Sequence, residues 1–209
     1  MKKILLLFCP VLMFSVLLFA GCVNQDIPYL DDEQNSTIQS ARAIKNTDNK
    51  AYEINYTADY KVPEFMEMLT KEKITSAYEI RTKMKDLIAP KSKVYPLDRL
   101  TNFTPGCSSV ICKNADGQPV IGRNYDLDVN SNALTAVIHT SPKDGYKSVG
   151  VADPGQCGLS FTDMANSNTN KELFLYAPYF TMDGVNETGF ACSIMVLSEG
   201  ANVQDTGKN

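Results

Sequence analysis

The stretch 107–126 constrains the local fold more than any other part of the chain. It reads CSSVICKNADGQPVIGRNYD, and an Asp-Gly pair at 116–117 separates two short runs that favour β-strands. An Asp-Gly pair between two such runs is typical of a tight hairpin turn. We therefore predict a strand over 107–113, a turn at 116–117 and a returning strand over 120–126.

This hairpin would bring Arg123 and Asp126 back toward Cys107, at the start of the first strand. A nucleophilic thiol would then lie beside a cation and a carboxylate, with no histidine required. The chain has a single histidine, His139, which excludes a zinc site with two imidazoles and leaves a Ser-His-Asp triad dependent on that one residue. Since His139 lies in the run TAVIHT, we predict a strand residue and not a catalyst.

The arrangement resembles the choloylglycine hydrolase and penicillin V acylase family, which are Cys-type N-terminal nucleophile hydrolases. Their mature chains open with Cys and small or hydroxyl residues, followed by an Asp-Gly turn and then Gly-Arg-Asn-hydrophobic-Asp, as at 122–126 here. A second block, DGVNETGFA at 183–191, is similar to the family's Asp-Gly-hydrophobic-Asn-Glu turn between strands. Two motifs in the right order are more specific than either alone.

The resemblance implies an α+β fold. Residues 107–209 would form the N-terminal part of an αββα Ntn-hydrolase sandwich, and residues 51–106 a partly helical pro-segment or small subunit. It also implies a hydrolase of linear amide C–N bonds that acts on N-acylated small molecules, with no metal and no organic cofactor.

The same resemblance assigns roles to individual residues. Cys107 would be the nucleophile, Arg123 would lie beside its thiol, and Asp126 would hydrogen-bond the new amino group. Autocatalytic cleavage after Gly106 would expose that group, because a free α-amine can take the thiol proton where no histidine is present. In addition, Asn186 and Val196 would lie in the substrate or oxyanion vicinity, although Val196 has no side-chain donor.

The first residues predict export. Lys2 and Lys3 precede an apolar stretch over 4–19, and Ala20-Gly21 leads to Cys22. These features resemble a bacterial lipobox, so we predict a signal peptide at 1–21, lipidation of Cys22 and a polar tether over 22–50. The protein would be anchored in the cell membrane by lipid. The alternatives are an ordinary secreted protein and, least favoured, a retained transmembrane segment.

The remaining charge and cysteine pattern narrows the function classes. The chain carries 24 acidic and 20 basic side chains without a basic block, which argues against a nucleic-acid partner. We interpret Cys112 as a buried small hydrophobe, and Cys157 and Cys192 as core thiols in preference to a disulfide. Without the resemblance, Arg123 and Asp126 would be interpreted as a surface ion pair on an edge strand. A thiol-redox lipoprotein is disfavoured because no Cys-x-x-Cys motif is present.

Elsewhere we expect a strand near 52–56 and helices near 63–69 and 75–88. Only residues 108–209 follow the proposed nucleophile Cys107, whereas family members continue further. We therefore expect a truncated or split reading frame, with a missing C-terminal half as a partner. The rival function is a noncatalytic lipoprotein that retains the hairpin as a binding or structural remnant.

Overall fold

The computed structural model describes residues 26–48, 50–74, 76–92, 107–125, 134–154 and 169–195. The fold is mixed α+β, as predicted. Six strands form one sheet in the order β1-β2-β5-β6-β7-β8, and two form a separate hairpin, β3-β4. The strands are β1 (Arg42–Ala43), β2 (Ala51–Tyr56), β3 (Ser108–Lys113), β4 (Pro119–Asn124), β5 (Thr135–Thr140), β6 (Ser148–Ala152), β7 (Thr181–Asn186) and β8 (Ala191–Ser193). The helices are α1 (Asp32–Ser40), α2 (Val62–Lys71), α3 (Ala77–Ile88) and a 3₁₀ helix (Thr169–Phe180).

Helix α1 lies inside the segment that composition predicted to be a polar tether. A capping box starts it, because Asp31 accepts from the backbone N–H of Gln34 and the Gln34 side chain accepts from the backbone N–H of Asp31. Ile38 is buried in the core, and β1 pairs antiparallel with β2 immediately afterwards. Residues 32–43 therefore form a helix that packs on the sheet and a strand that belongs to it, in place of a tether.

Strand β2 confirms the strand predicted near 52–56, and it pairs in parallel with β5. The register runs from Ala51 opposite Thr135 to Tyr56 opposite Thr140. A parallel pair needs a long crossover, and here the crossover contains α2, α3 and the hairpin. Strands from both sides of position 107 are therefore neighbours in one sheet.

One face of this sheet carries the core. Side chains alternate along each strand, so Ile54 and Tyr56 of β2 point to the same side as Ala136 and Ile138 of β5. All four are at most 1% exposed. The 3₁₀ helix covers this face with Phe174, Leu175 and Tyr176, which are fully buried. The other face carries more accessible residues, including Val137 and His139.

Helices α2 and α3 confirm the two helices predicted in this region, at slightly different bounds. Pro63 lies in the first turn of α2, where a missing N–H is tolerated, and Ser76 caps α3 by accepting from the backbone N–H of Glu79. Helix α3 contributes Met84 and Ile88 to the core. Among the described residues, no helix combines the length and apolar character that crossing a bilayer requires.

The hairpin β3-β4 matches the predicted strand, turn and strand. Gly117 adopts a φ of 78°, a left-handed conformation that favours glycine, and Asn114 Oδ1 accepts from the backbone N–H groups of Asp116 and Gln118. Ser108 pairs with Asn124 and Lys113 with Pro119. The apolar side chains of the hairpin are solvent-exposed in the described structure, as for Val110 and Ile111.

We expect Ile54→Ala to lower the free energy of unfolding by about 2–5 kcal/mol, because truncation leaves a cavity beneath a side chain that is fully buried. Ile111→Ala is the matched control, since Ile111 lies on the exposed hairpin, and its effect should stay within about 0.5 kcal/mol. Urea unfolding of both variants tests this. Equal losses would contradict the assignment of the core to the face that carries Ile54.

Candidate active site

The hairpin places Cys107 beside Arg123. Arg123 pairs with Ser109 across the two strands, and Cys107 lies two residues before Ser109, so all three side chains project to the same side. Nη2 of Arg123 is 3.6 Å from Sγ of Cys107. Cys107 is half-buried and forms no disulfide. The thiol therefore lies within reach of a guanidinium, as the hairpin predicted.

The side chain of Arg123 is largely enclosed, with 6% of it exposed, and the residue as a whole is half-buried. Its Nη1 donates to Oδ2 of Asp183 at 3.2 Å, and its Nη2 also donates to the carbonyl oxygen of Ile194. The guanidinium carbon lies 4.8 Å from the centre of the Tyr125 ring, a distance at which cation–π attraction acts. The interpretation of Arg123 as a surface residue is wrong, since its side chain is largely enclosed and pairs with Asp183. Its predicted partner Asp126 lies outside the described residues.

Asp183 is a site residue that the sequence analysis did not single out. It is the first residue of the second motif, and it lies in β7 between Val151 of β6 and Ser193 of β8. No local sequence signal marks it, because the rule that a buried arginine requires a counter-ion applies only once the structure shows Arg123 to be enclosed. Tyr125 was also missed, and its hydroxyl donates to Oδ2 of Asp153 at 3.1 Å.

Asn186 lies at the other end of β7. Its side-chain oxygen accepts from the backbone N–H groups of Thr188 and Phe190 and from the Thr188 hydroxyl, at 3.1, 3.0 and 2.7 Å. Gly189 in the same turn has a φ of 84°, so the predicted turn between strands is confirmed. Asn186 is three residues from Asp183, or about 10 Å along an extended strand. The second motif therefore contacts Arg123 through Asp183, while the oxygen of Asn186 holds the turn.

Several predicted positions lie outside the described residues. They are the lipidation residue Cys22, the cleavage residue Gly106, the carboxylate Asp126, the oxyanion candidate Val196 and the thiol Cys157.

The two other described cysteines correct the sequence analysis. Cys112 was predicted to be buried, and it is exposed because the hairpin forms its own two-stranded sheet with open faces. Cys192, for which a core thiol was favoured over a disulfide, is a free thiol and is also exposed. It lies on β8, the last strand in the order of the six-stranded sheet. Both thiols are therefore open to reagents, and this makes them useful references for Cys107.

His139 lies in β5, which confirms the predicted strand residue. Its Nε2 is 2.9 Å from Oε1 of Glu53, and Arg42 donates to Oε2 of the same carboxylate from Nε and Nη2 at 3.0 and 2.8 Å. The hydrogen bonds from Arg42, and next those from His139, lower the pKa of Glu53 below its usual value. The imidazole is thus paired with a carboxylate on the strand next to its own.

Two cavities lined by described residues border the six-stranded sheet. One of about 520 Å³ is lined by residues that include His139 and Lys147, and one of about 240 Å³ by residues that include Tyr60 and Phe190. Neither is lined by Cys107 or Arg123, so both are separate from the thiol. Within the described ranges, no group of three or more His, Cys, Asp or Glu side chains is placed to hold a metal ion.

The arrangement places a guanidinium 3.6 Å from the Cys107 sulfur, and the Asp183 carboxylate and the Ile194 carbonyl hold that guanidinium by hydrogen bonds. A cysteine sulfur beside a bound cation is a candidate nucleophile for carbonyl carbon. No family model, curated protein or solved structure matches this chain.

Proposed function

We propose that this chain is an exported, lipid-anchored cysteine amidase of the N-terminal nucleophile type. It hydrolyses the C–N bond of N-acylated small molecules, with Cys107 as the nucleophile. The observation that carries the proposal is the 3.6 Å contact between the Cys107 sulfur and the buried guanidinium of Arg123, on a hairpin whose sequence resembles the choloylglycine hydrolase and penicillin V acylase family.

Activation is self-cleavage between Gly106 and Cys107. The thiolate attacks the carbonyl carbon of Gly106, and the peptide nitrogen leaves as the amino group of Cys107 after taking up a proton. Water then hydrolyses the resulting thioester, which releases the carboxylate of Gly106 and regenerates the thiol. The product carries a free α-amino group on the same residue as the nucleophile.

Amide hydrolysis then follows the same chemistry on a substrate. The α-amino group has a pKa of about 7.7–8.0 in peptides, so it takes the thiol proton near neutral pH. The sulfur attacks the acyl carbon, the amine leaves with that proton, and water hydrolyses the acyl-thioester. Arg123 stabilises the thiolate, Asp126 holds the amino group, and backbone N–H groups with the region of Asn186 and Val196 form the oxyanion and substrate surroundings.

Two features support the finer fold proposal, an αββα sandwich of which this chain forms the N-terminal part. The nucleophile hairpin forms a sheet of its own, and its Arg123 contacts the six-stranded sheet through Asp183. The apolar side chains of the hairpin are exposed, as expected for a strand pair that belongs to a larger sheet. The membrane anchor rests on the sequence before Cys22 alone.

Intact-mass analysis and N-terminal sequencing of the exported chain test the proposal. We expect a new N-terminus at Cys107 in the wild type and in the matched control Cys112→Ala, whose thiol is exposed on the same hairpin. A chain that stays uncut at this bond in both would contradict self-activation, and would favour the noncatalytic lipoprotein.

A further inference from the structure

We propose that Asp183 is a positioning residue, whose carboxylate holds the Arg123 guanidinium against the Cys107 thiol. This inference rests on the proposed function only where it takes Cys107 as the nucleophile. Asp183 does not itself contact the sulfur in the described structure; it would act through Arg123.

The contact joins two separate sheets. Arg123 comes from the hairpin, and Asp183 from the six-stranded sheet. Strand β7 is paired on both sides, since Asp183 lies opposite Val151 of β6 and Ser193 of β8, so the Asp183 backbone is fixed by two neighbours. Arg123, by contrast, reaches this point through a long side chain with several rotatable bonds. A carboxylate on a fixed strand can therefore decide where the guanidinium lies.

Besides the Tyr125 ring 4.8 Å away, the contacts of the guanidinium among the described residues are hydrogen bonds. Nη2 is shared between the Ile194 carbonyl and the Cys107 sulfur, and Nη1 donates to Asp183. Nε is buried and finds no hydrogen-bond partner in the described part of the chain. Contacts at both Nη1 and Nη2 fix the orientation of the planar guanidinium, and Asp183 supplies the contact at Nη1. Without it, Nη2 is free to move away from the sulfur while it keeps the Ile194 carbonyl.

A test is possible because two physical roles for Asp183 predict opposite changes in the thiolate content of Cys107 when Asp183 is replaced. If Asp183 were a bystander anion, its removal would leave Arg123 in place with more net positive charge near the sulfur, and Cys107 would form more thiolate. If Asp183 positions Arg123, its removal lets the cation leave, and Cys107 forms less thiolate. Thiolate content can be measured as the rate of alkylation, because the thiolate and not the thiol reacts.

The experiment measures iodoacetamide alkylation of the full exported chain from about pH 6 to about pH 10, the range that spans ordinary cysteine ionisation. Peptide mass analysis reads Cys107, Cys112 and Cys192 separately. In Asp183→Asn, we expect the Cys107 rate at neutral pH to fall roughly three- to tenfold, with the midpoint of its pH profile moved upward. Rates at exposed Cys112 and Cys192 should not change.

Three further variants sharpen the result. Glu187→Gln removes one carboxylate from the same β7–β8 connection, at a residue that accepts from the backbone N–H of Lys147, and should leave the Cys107 rate unchanged. In an Arg123→Gln background, Asp183→Asn should have no further effect, because the two residues act as one unit. Asp183→Glu serves if the Asn variant does not fold. It keeps the charge but moves the carboxylate by a methylene, and an intermediate Cys107 rate is expected.

An unchanged or faster Cys107 rate in Asp183→Asn would overturn the inference, as would a further slowing in the Arg123→Gln background. If only Asp183→Glu folds, a wild-type rate in that variant overturns it. Failure of the positioning role can be distinguished from failure of the proposed amidase function. A slower Cys107 in Asp183→Asn, with no cleavage or amide hydrolysis in the wild type, would leave the positioning role standing and remove the amidase.

Discussion

Cys107→Ala is expected to abolish both cleavage after Gly106 and hydrolysis of N-acyl amides, a loss of roughly 10³-fold or more relative to the wild type. The substitution removes the sulfur that lies 3.6 Å from Arg123 Nη2 and leaves the arginine with its contacts to Asp183 and Ile194. Since the one histidine, His139 of β5, is paired with Glu53 of β2, the described structure gives it no contact through which it could replace the thiol.

This loss is separable from misfolding. Cys107 is half-buried and precedes β3 without belonging to it, so its truncation should change the free energy of unfolding by only about 1 kcal/mol or less. Cleavage is measured by intact mass, and hydrolysis by amine release from a panel of N-acylated small molecules with different acyl chains. Cys112→Ala should match the wild type in both measurements. Hydrolysis at the wild-type rate by Cys107→Ala would show that another group does the chemistry.

Local features of the chain could be predicted, because neighbouring residues decide them. The Asp-Gly pair at 116–117 determines the hairpin turn, and the register of the hairpin places Arg123 on the same side as Cys107. Helix α1 has an equally local signal in Asp31 and Gln34, but the polar composition around it favoured a tether. Helix α1 shows little hydrophobic periodicity, because Ile38 is the one hydrophobic side chain among its three buried residues.

Contacts between distant segments could not be predicted. Strand β2 was expected, but its parallel pairing with β5 depends on a long crossover. No local sequence pattern indicates which distant strand will pair with β2. Asp183 lies 60 positions from Arg123, and one aspartate among many gives no sign that it meets a buried arginine. The exposure of Cys112 could not be predicted either, because burial of a hairpin depends on what covers it.

Cleavage after Gly106 would produce two pieces, a first that ends at residue 106 and a second that begins at Cys107. We expect these two pieces to stay bound to each other in the absence of denaturant. The first piece supplies β2, which lies between β1 and β5 in the sheet. Its Ile54, Tyr56, Met84 and Ile88 share one core with Ile138 and Phe174 of the second piece. Full burial of each such side chain stabilises the assembly by about 1.5–3 kcal/mol.

Hydrogen bonds also cross between the pieces. The Tyr56 hydroxyl donates to the Leu175 carbonyl at 2.7 Å, and the Tyr29 hydroxyl donates to the buried Glu172. Burial, and next the hydrogen bond to Glu172, raise the pKa of Tyr29 to about 12, so this hydroxyl stays protonated at neutral pH and keeps its donor role. Separation would leave these buried groups without partners, a penalty of roughly 1–3 kcal/mol each.

Gel filtration of the cleaved protein, followed by intact mass of the eluted peak, measures this association. Both pieces should co-elute in native buffer and separate in concentrated guanidinium chloride, and Ile54→Ala should lower the guanidinium concentration at which they part. A protease site placed before Cys107 gives the same two pieces if self-cleavage does not occur, which keeps the test independent of the proposed chemistry. Separate elution in native buffer would mean that the segment before Cys107 is a dissociable pro-segment. Co-elution would make it a permanent subunit, because the sheet loses β2 without it.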